Sequence, residues 1–285
     1  MVARVIVTGG LGFIGRAVGD ELSRRGLSWA AFDRANYRHD VRDPADEFTY
    51  LPPWEGDVSG VIHLAGVLGT HELFDAVDDA IDVNVGGTAH VLEAARRKGA
   101  RYVGITMPAV FPSVYTATKV AAAGLERAYH HTYGLAVSRV RAYNAYGPGQ
   151  KHGPGHPQKI VPTFSAEAWA GRPIPIWGDG TQTVDLVHTD DLARMLVDAL
   201  GHGDDVTFDG GTGRAFSVNE VAEMVLDITG SRAGVEYLPM RRGELPTRIV
   251  ATGEGWDRLD WRPEFDEQRF AETVESYRVP LAVPA

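Results

Sequence analysis

The sequence predicts an α/β fold, a doubly wound parallel sheet covered by helices on both faces and followed by a smaller α/β lobe. Three observations predict it. Apolar, β-branched runs alternate with amphipathic helical patterns through the first half of the chain, the first of them passes directly into a glycine turn and a helix, and the texture changes after Asn144.

The first strand is predicted over residues 2–7, and Thr8-Gly9-Gly10-Leu11-Gly12-Phe13-Ile14-Gly15 follows it at once. Residues 16–25 carry Ala17, Val18 and Leu22 at helical spacing, and Gly26 stands where helices commonly stop. A second strand over 28–32 delivers Asp33. Further strands are predicted at 58–64, 102–106 and 135–141, with helices over 84–98 and 114–133. Residues 147–157 are too rich in Gly and Pro for regular structure and read as a surface loop at the change of lobe. Beyond it the pattern predicts a helix at 161–170, turns over 171–180, an apolar run at 184–188 and helices over 191–200 and 218–229. The expected organisation is a dinucleotide-binding domain of 1–147 plus about 182–205, and a substrate lobe of 148–181 plus about 206–285.

Composition narrows the function. With 285 residues, 44% hydrophobic and 23% charged, the chain has material for a large core without covalent staples. Lys and Arg number 28 against 38 Asp and Glu, a net charge of −10. That sign argues against a nucleic-acid or anionic-membrane binder, and an anionic ligand must then be held by a local site. The absence of cysteine excludes disulfides, thiolate metal sites and a Cys nucleophile. The first fifteen residues begin as a strand, and no apolar run approaches about 18 residues, so a soluble, cytoplasmic protein is expected. His152 and His156 flank glycines and prolines that preset no metal geometry, and no metal is predicted.

Glycines at 9, 12 and 15 between a strand and a helix let the backbone turn tightly and approach a pyrophosphate at a helix N-terminus, the arrangement of a Rossmann-type domain. Asp33, at the end of the next strand, can accept hydrogen bonds from both ribose hydroxyls and would repel a 2′-phosphate, favouring NAD over NADP; Arg34 beside it works against that preference. Tyr115 and Lys119 lie four residues apart, on one face of a helix. A cation near a phenol favours the phenolate, which could take a proton from a substrate hydroxyl.

These residues, taken together, resemble the extended short-chain dehydrogenase/reductases, specifically the NAD-dependent nucleotide-sugar epimerase/dehydratase group. The resemblance spans nearly the whole chain: TGGLGFIG, DVSGVIHLAG, NVGGT, YTATK, RAYNAYGPG, PIWGDGTQTVDLVHTDDLA and RRGE occur in the group's order. It implies that Gly9, Gly12, Phe13, Ile14, Gly15 and Asp33 bind NAD, that Asp40 and Val41 meet the adenine, and that Leu64, Ala65 and Gly66 line the pyrophosphate side. Tyr115 and Lys119 would be catalytic, Lys119 also holding the nicotinamide ribose. Asn144, Trp177 and Arg241 would meet the sugar nucleotide, the arginine because its fork can bond two phosphate oxygens. His63 matches a structural strand-end histidine.

Departures from the group carry information as well. Met107 stands at the position of the usual catalytic hydroxyl, and a thioether cannot donate a hydrogen bond. Either Thr106 or Ser113 then supplies the hydroxyl, or Tyr115 works alone. Pro108 and Ala109 replace the acid–base residues that dehydrating and decarboxylating members need, which disfavours elimination. Val184 stands where an arginine is usual. The function implied is NAD-dependent epimerisation of a nucleotide-linked sugar at carbon 4 through a 4-keto intermediate. A sugar-nucleotide reductase or dehydrogenase, a 4,6-dehydratase and a non-catalytic NAD or sugar-nucleotide binder are the alternatives. A homodimer through the Tyr115 helix is implied by the resemblance alone.

Overall fold

The computed structural model describes residues 4–108, 110, 112–153 and 156–278; Val2 and Ala3 of the predicted first strand, and Ala109, lie outside them. The first half of the chain runs β1 (Arg4–Thr8), α1 (Phe13–Arg24), β2 (Trp29–Phe32), α2 (Ala45–Phe48), β3 (Val58–His63), α3 (Val77–Ile81), α4 (Gly87–Lys98), β4 (Arg101–Thr106), α5 (Val114–Tyr133), β5 (Val137–Ala142) and β6 (Asn144–Tyr146). The second half runs α6 (Ile160–Trp169), β7 (Ile174–Trp177), β8 (Thr183–His188), α7 (Thr189–Asp198), β9 (Asp204–Gly210), β10 (Ala215–Ser217), α8 (Val218–Thr229), β11 (Val235–Leu238) and α9 (Glu267–Ser276).

Six parallel strands form the main sheet in the order β2-β1-β3-β4-β5-β9. Its strands are apolar on both faces, because helices cover both. Ile6, Trp54, Leu92 and Tyr102 fill one side; Val7, Leu22, Ile62, Val103, Leu196 and Phe208 fill the other. The chain winds away from β1 in both directions, which opens a crevice at the carboxyl ends of β1 and β3. Local chemistry bounds the helices: Ser113 caps α5 by accepting from the Thr116 N–H, and Gly134, in the left-handed conformation at φ 66, ends it.

Two features of the second half depart from expectation. β9 pairs with β5 along the edge of the main sheet, so the lobe boundary expected near 205 falls inside a strand of the larger domain. Its sequence, DDVTFDG, hides an apolar alternation among acids. β8, expected with the larger domain, belongs instead to a separate three-stranded sheet, antiparallel to β10 and parallel to β6, while α7 does return to pack beside α1. A parallel β7–β11 pair and helices α6, α8 and α9 complete the lobe around Phe164, Ile176, Leu186, Val221 and Phe270. Among the described residues, no helix is long and apolar enough to cross a membrane.

Candidate active site

The glycine turn is shaped by what lies around it. Gly9 has φ 67, and a Cβ there would stand 2.8 Å from the Ala65 nitrogen; one on Gly15 would stand 2.3 Å from the Gly9 carbonyl oxygen. Only glycines let β1, the start of α1 and the segment after β3 approach this closely. Asp33 accepts from the Leu11 N–H at 3.2 Å and the Ala35 N–H at 3.1 Å, which ties the end of β2 to the turn. Phe13 opens α1 beside Gly147 and Thr189, and Ile14 packs into the core. This compact, carboxylate-edged turn at a helix N-terminus fits a dinucleotide diphosphate and its ribose. Of the two residues expected at the adenine, Asp40 is engaged by Arg42 at 2.7 Å and the Val41 side chain is buried against Gly87.

Residues 64–67 are held by side chains from three elements. The Thr8 hydroxyl accepts from the Leu64 and Ala65 N–H groups at 3.2 and 3.3 Å and lies 2.7 Å from His63 Nδ1. His63 Nε2 meets the Thr88 hydroxyl at 3.1 Å, and that hydroxyl donates to the Asn84 carbonyl. The imidazole therefore carries its proton on Nε2, and burial lowers its pKa to about 3, keeping it neutral. Asn84, in a π-helical turn before α4, accepts from the Val67 N–H and donates to the Val67 carbonyl, both at 2.9 Å, and also donates to Thr118 on α5. The role of Asn84 was not singled out in the sequence; its position at the head of NVGGT was the available signal.

Tyr115 and Lys119 stand on α5, which starts just beyond the carboxyl end of β4. Among the described residues neither the Tyr115 hydroxyl nor the Lys119 ammonium has a hydrogen-bond partner. The electrostatics correct one expectation. Burial pushes Tyr115 up to about 12 and lowers Lys119, so desolvation, rather than the cation, dominates the phenol, which rests neutral. Ser113, one candidate hydroxyl, is committed to the cap of α5 and also donates to the Thr116 hydroxyl. Thr106 ends β4 opposite Arg141 and its hydroxyl has no partner among the described residues. Met107 follows it; Ala109 and Phe111 lie outside the described residues.

Beneath α5 lies a buried charged cluster. Glu126 accepts from the Tyr102 hydroxyl at 3.1 Å and faces Arg139 on β5 at 3.9 Å; Arg139 also bonds Asp205. Burial raises the Glu126 carboxyl to about 7 against the pull of Arg139 and Lys119, and its carboxylate in turn supports the charge on Lys119.

Across the crevice, Trp177 and Arg241 come together, the guanidinium lying 4.8 Å from the indole centroid. Arg241 is oriented by two bonds to Glu244 and one to Gln158. Lys159 is next to Gln158, and burial lowers its pKa, Arg241 adding to the effect. Arg242 and Gly243 lean on Phe74 from the segment after β3, so the two sides of the crevice touch here. Asn144 opens β6, opposite Leu186. Val184 is buried opposite Phe216 and offers no phosphate contact. Among the described residues one group of metal-type donors gathers, His39, Asp43 and Glu47, and it is accounted for by its own ion pairs at the edge of the 33–43 loop.

A model of the NAD dependent epimerase/dehydratase family matches residues 5–211. The chain is 30% identical to a UDP-glucose 4-epimerase of Mycolicibacterium smegmatis over 96% of this chain and 98% of that protein. It is 29% identical to a UDP-glucuronate 4-epimerase of Thermodesulfobacterium geofontis over 94% of each. Its fold superposes with a TM-score of 0.84 on a Thermus thermophilus UDP-glucose 4-epimerase solved in complex with NAD, at 27% identity over 98% and 100% of the two chains.

Proposed function

The chain belongs to the NAD dependent epimerase/dehydratase family, whose cofactor is NAD, and on that premise we propose that it epimerises a nucleotide-linked sugar at carbon 4. The observation that carries this reading is the pair Tyr115 and Lys119, on one helix face with their polar ends unpartnered among the described residues, beside a glycine turn shaped for a dinucleotide. The turn residues, Asp33 and the 64–66 segment would hold NAD, which takes up and returns a hydride when bound. Tyr115 takes the proton of the 4-hydroxyl, leaving a 4-keto sugar, and gives it back after the sugar has turned. Because the phenol rests neutral, its own proton must leave first, and the Lys119 ammonium opposes the burial that retains it. Thr106 is the remaining side-chain hydroxyl for the substrate oxygen. Trp177 and Arg241 receive the nucleotide diphosphate, and Asn144 the sugar. We also infer a homodimer through α5, supported by exposed Val120, with Val77 and Ile81 on nearby α3.

The neutral phenol is also the form that donates a proton to a carbonyl, and this favours a sugar-nucleotide reductase as the second reading. One experiment separates them. NAD retained on the purified protein, with NMR showing a 4-epimer formed from a UDP-hexose and no net NADH change, is the result expected of an epimerase; stoichiometric NADH consumption would establish the reductase. Tyr115→Phe should lower turnover by about 100-fold or more with NAD still bound. Unchanged turnover would remove Tyr115 from the chemistry.

A further inference from the structure

A second recess opens beside the catalytic helix, with a volume of about 320 Å³, at the lower end of ordinary small-molecule clefts. Pro108 from the segment after β4, Tyr143 between β5 and β6, and Thr247, Arg248, Ile249 and Val250 from the strap after β11 form its wall. Its floor is thus made from the carboxyl ends of the two strands that lead to Met107 and Asn144, on the side of the reacting carbon. The Arg241–Trp177 stack is a separate feature of the crevice and shares no residue with this wall.

Arg248 is presented rigidly. The Thr183 N–H donates to the Thr247 carbonyl at 2.9 Å, the Ile249 N–H donates to the Thr183 hydroxyl at 3.2 Å, and Thr183 and Arg248 form a parallel bridge. Its guanidinium, always charged, has no hydrogen bond or ion pair among the described residues. No carboxylate lines the recess. The nearest acid, Asp209 behind Tyr143, is fully buried and engaged by Arg141 at 2.7 Å and by Thr252, Gly253 and Glu254 N–H groups. A cation among apolar walls, in a protein of net charge −10, calls for an anion from the ligand.

Resting on the nucleotide-sugar reading above, the geometry points to Arg248 as the residue that selects a sugar carrying a carboxylate, so that the substrate class is a nucleotide-linked uronate. The carboxylate takes the guanidinium fork in the recess, and the Tyr143 hydroxyl is a second donor on the same wall.

The test is calorimetric titration of the NAD-loaded full chain and its Arg248→Met variant with UDP, UDP-glucose and UDP-glucuronate. The wild type should bind the uronate at least about 10-fold more tightly than the glucose compound, and the variant should lose that preference while its affinity for the other two stays within about 2-fold. Retained NAD reports that the variant is folded. Equal affinities for the two sugars in the wild type, with UDP-glucose bound, would overturn the assignment and leave the functional reading intact. A variant that loses UDP as strongly as the uronate would place Arg248 on the diphosphate and likewise overturn it. Failure of all three ligands to bind a protein that retains NAD would remove the nucleotide-sugar reading and this assignment together.

Discussion

Replacing Glu126 by glutamine isolates the cost of a buried charge. The carboxyl sits beneath α5 with the Tyr102 hydroxyl on one oxygen and Arg139 at 3.9 Å from the other, and burial raises it from 4.5 to about 7. A folded-state value above the unfolded one means that the protonated acid is the favoured native form. Its contribution to stability is full below pH 4.5 and is lost as the pH rises through about 7. The difference between the two values corresponds to about 3 kcal/mol. Glutamine keeps the shape and the Tyr102 contact without titrating, and all other ionisations cancel when variant and wild type are compared. Urea unfolding of both proteins from pH 5 to pH 8 should show the glutamine variant gaining about 2 to 3 kcal/mol relative to wild type across that range. A difference that stays flat with pH, or that shrinks, would show that the carboxylate is compensated by Arg139 and Lys119 and that burial does not govern it.

Two further outcomes follow from the geometry. Gly15→Ala places a methyl group 2.3 Å from the Gly9 carbonyl oxygen, so it should cost about 1 to 3 kcal/mol in denaturant unfolding and strip NAD from the purified protein, as read by nucleotide released on heating; full NAD occupancy would contradict the close-approach argument. Asp185→Ala removes the acceptor of the Thr212, Gly213 and Ala251 N–H groups and of the Thr212 hydroxyl, and should cost more than about 3 kcal/mol; a loss under about 1 kcal/mol would mean that those donors find other partners.

The parts of this molecule that a sequence displays are those built from neighbours along the chain. The glycine turn, the capped helix bearing Tyr115 and Lys119, and the strand ending at Asp33 each declare themselves within a dozen residues. What stayed hidden depends on distant segments. β9 reads as an acidic loop, yet Asp209 turns inward to receive four donors from residues 252–254, and Asp205 meets Arg139 on the adjoining strand. Glu126 is an ordinary helix residue until Tyr102, Gly104 and Arg139 from two strands close over it. The depressed proton affinity expected for Tyr115 failed for the same reason: the spacing to Lys119 is visible in the chain, whereas the desolvation that outweighs it is a property of the assembled crevice. Trp177 and Arg241 are 64 positions apart and were paired by resemblance alone, since no local pattern links them.

β8 binds the molecule's two halves more closely than a linker could. Val184 and Leu186 are anchored in the core of the smaller half and Val187 in that of the larger, while Asp185 between them gathers loops from both 212–213 and 251. Neither half can swing far without dragging a fully packed side chain out of the other. Room for a ligand to enter must therefore come from the thin contact where Phe74 meets Arg242 and Gly243, which places the freedom of movement in two surface segments and leaves the frame that aims Tyr115 at its target undisturbed.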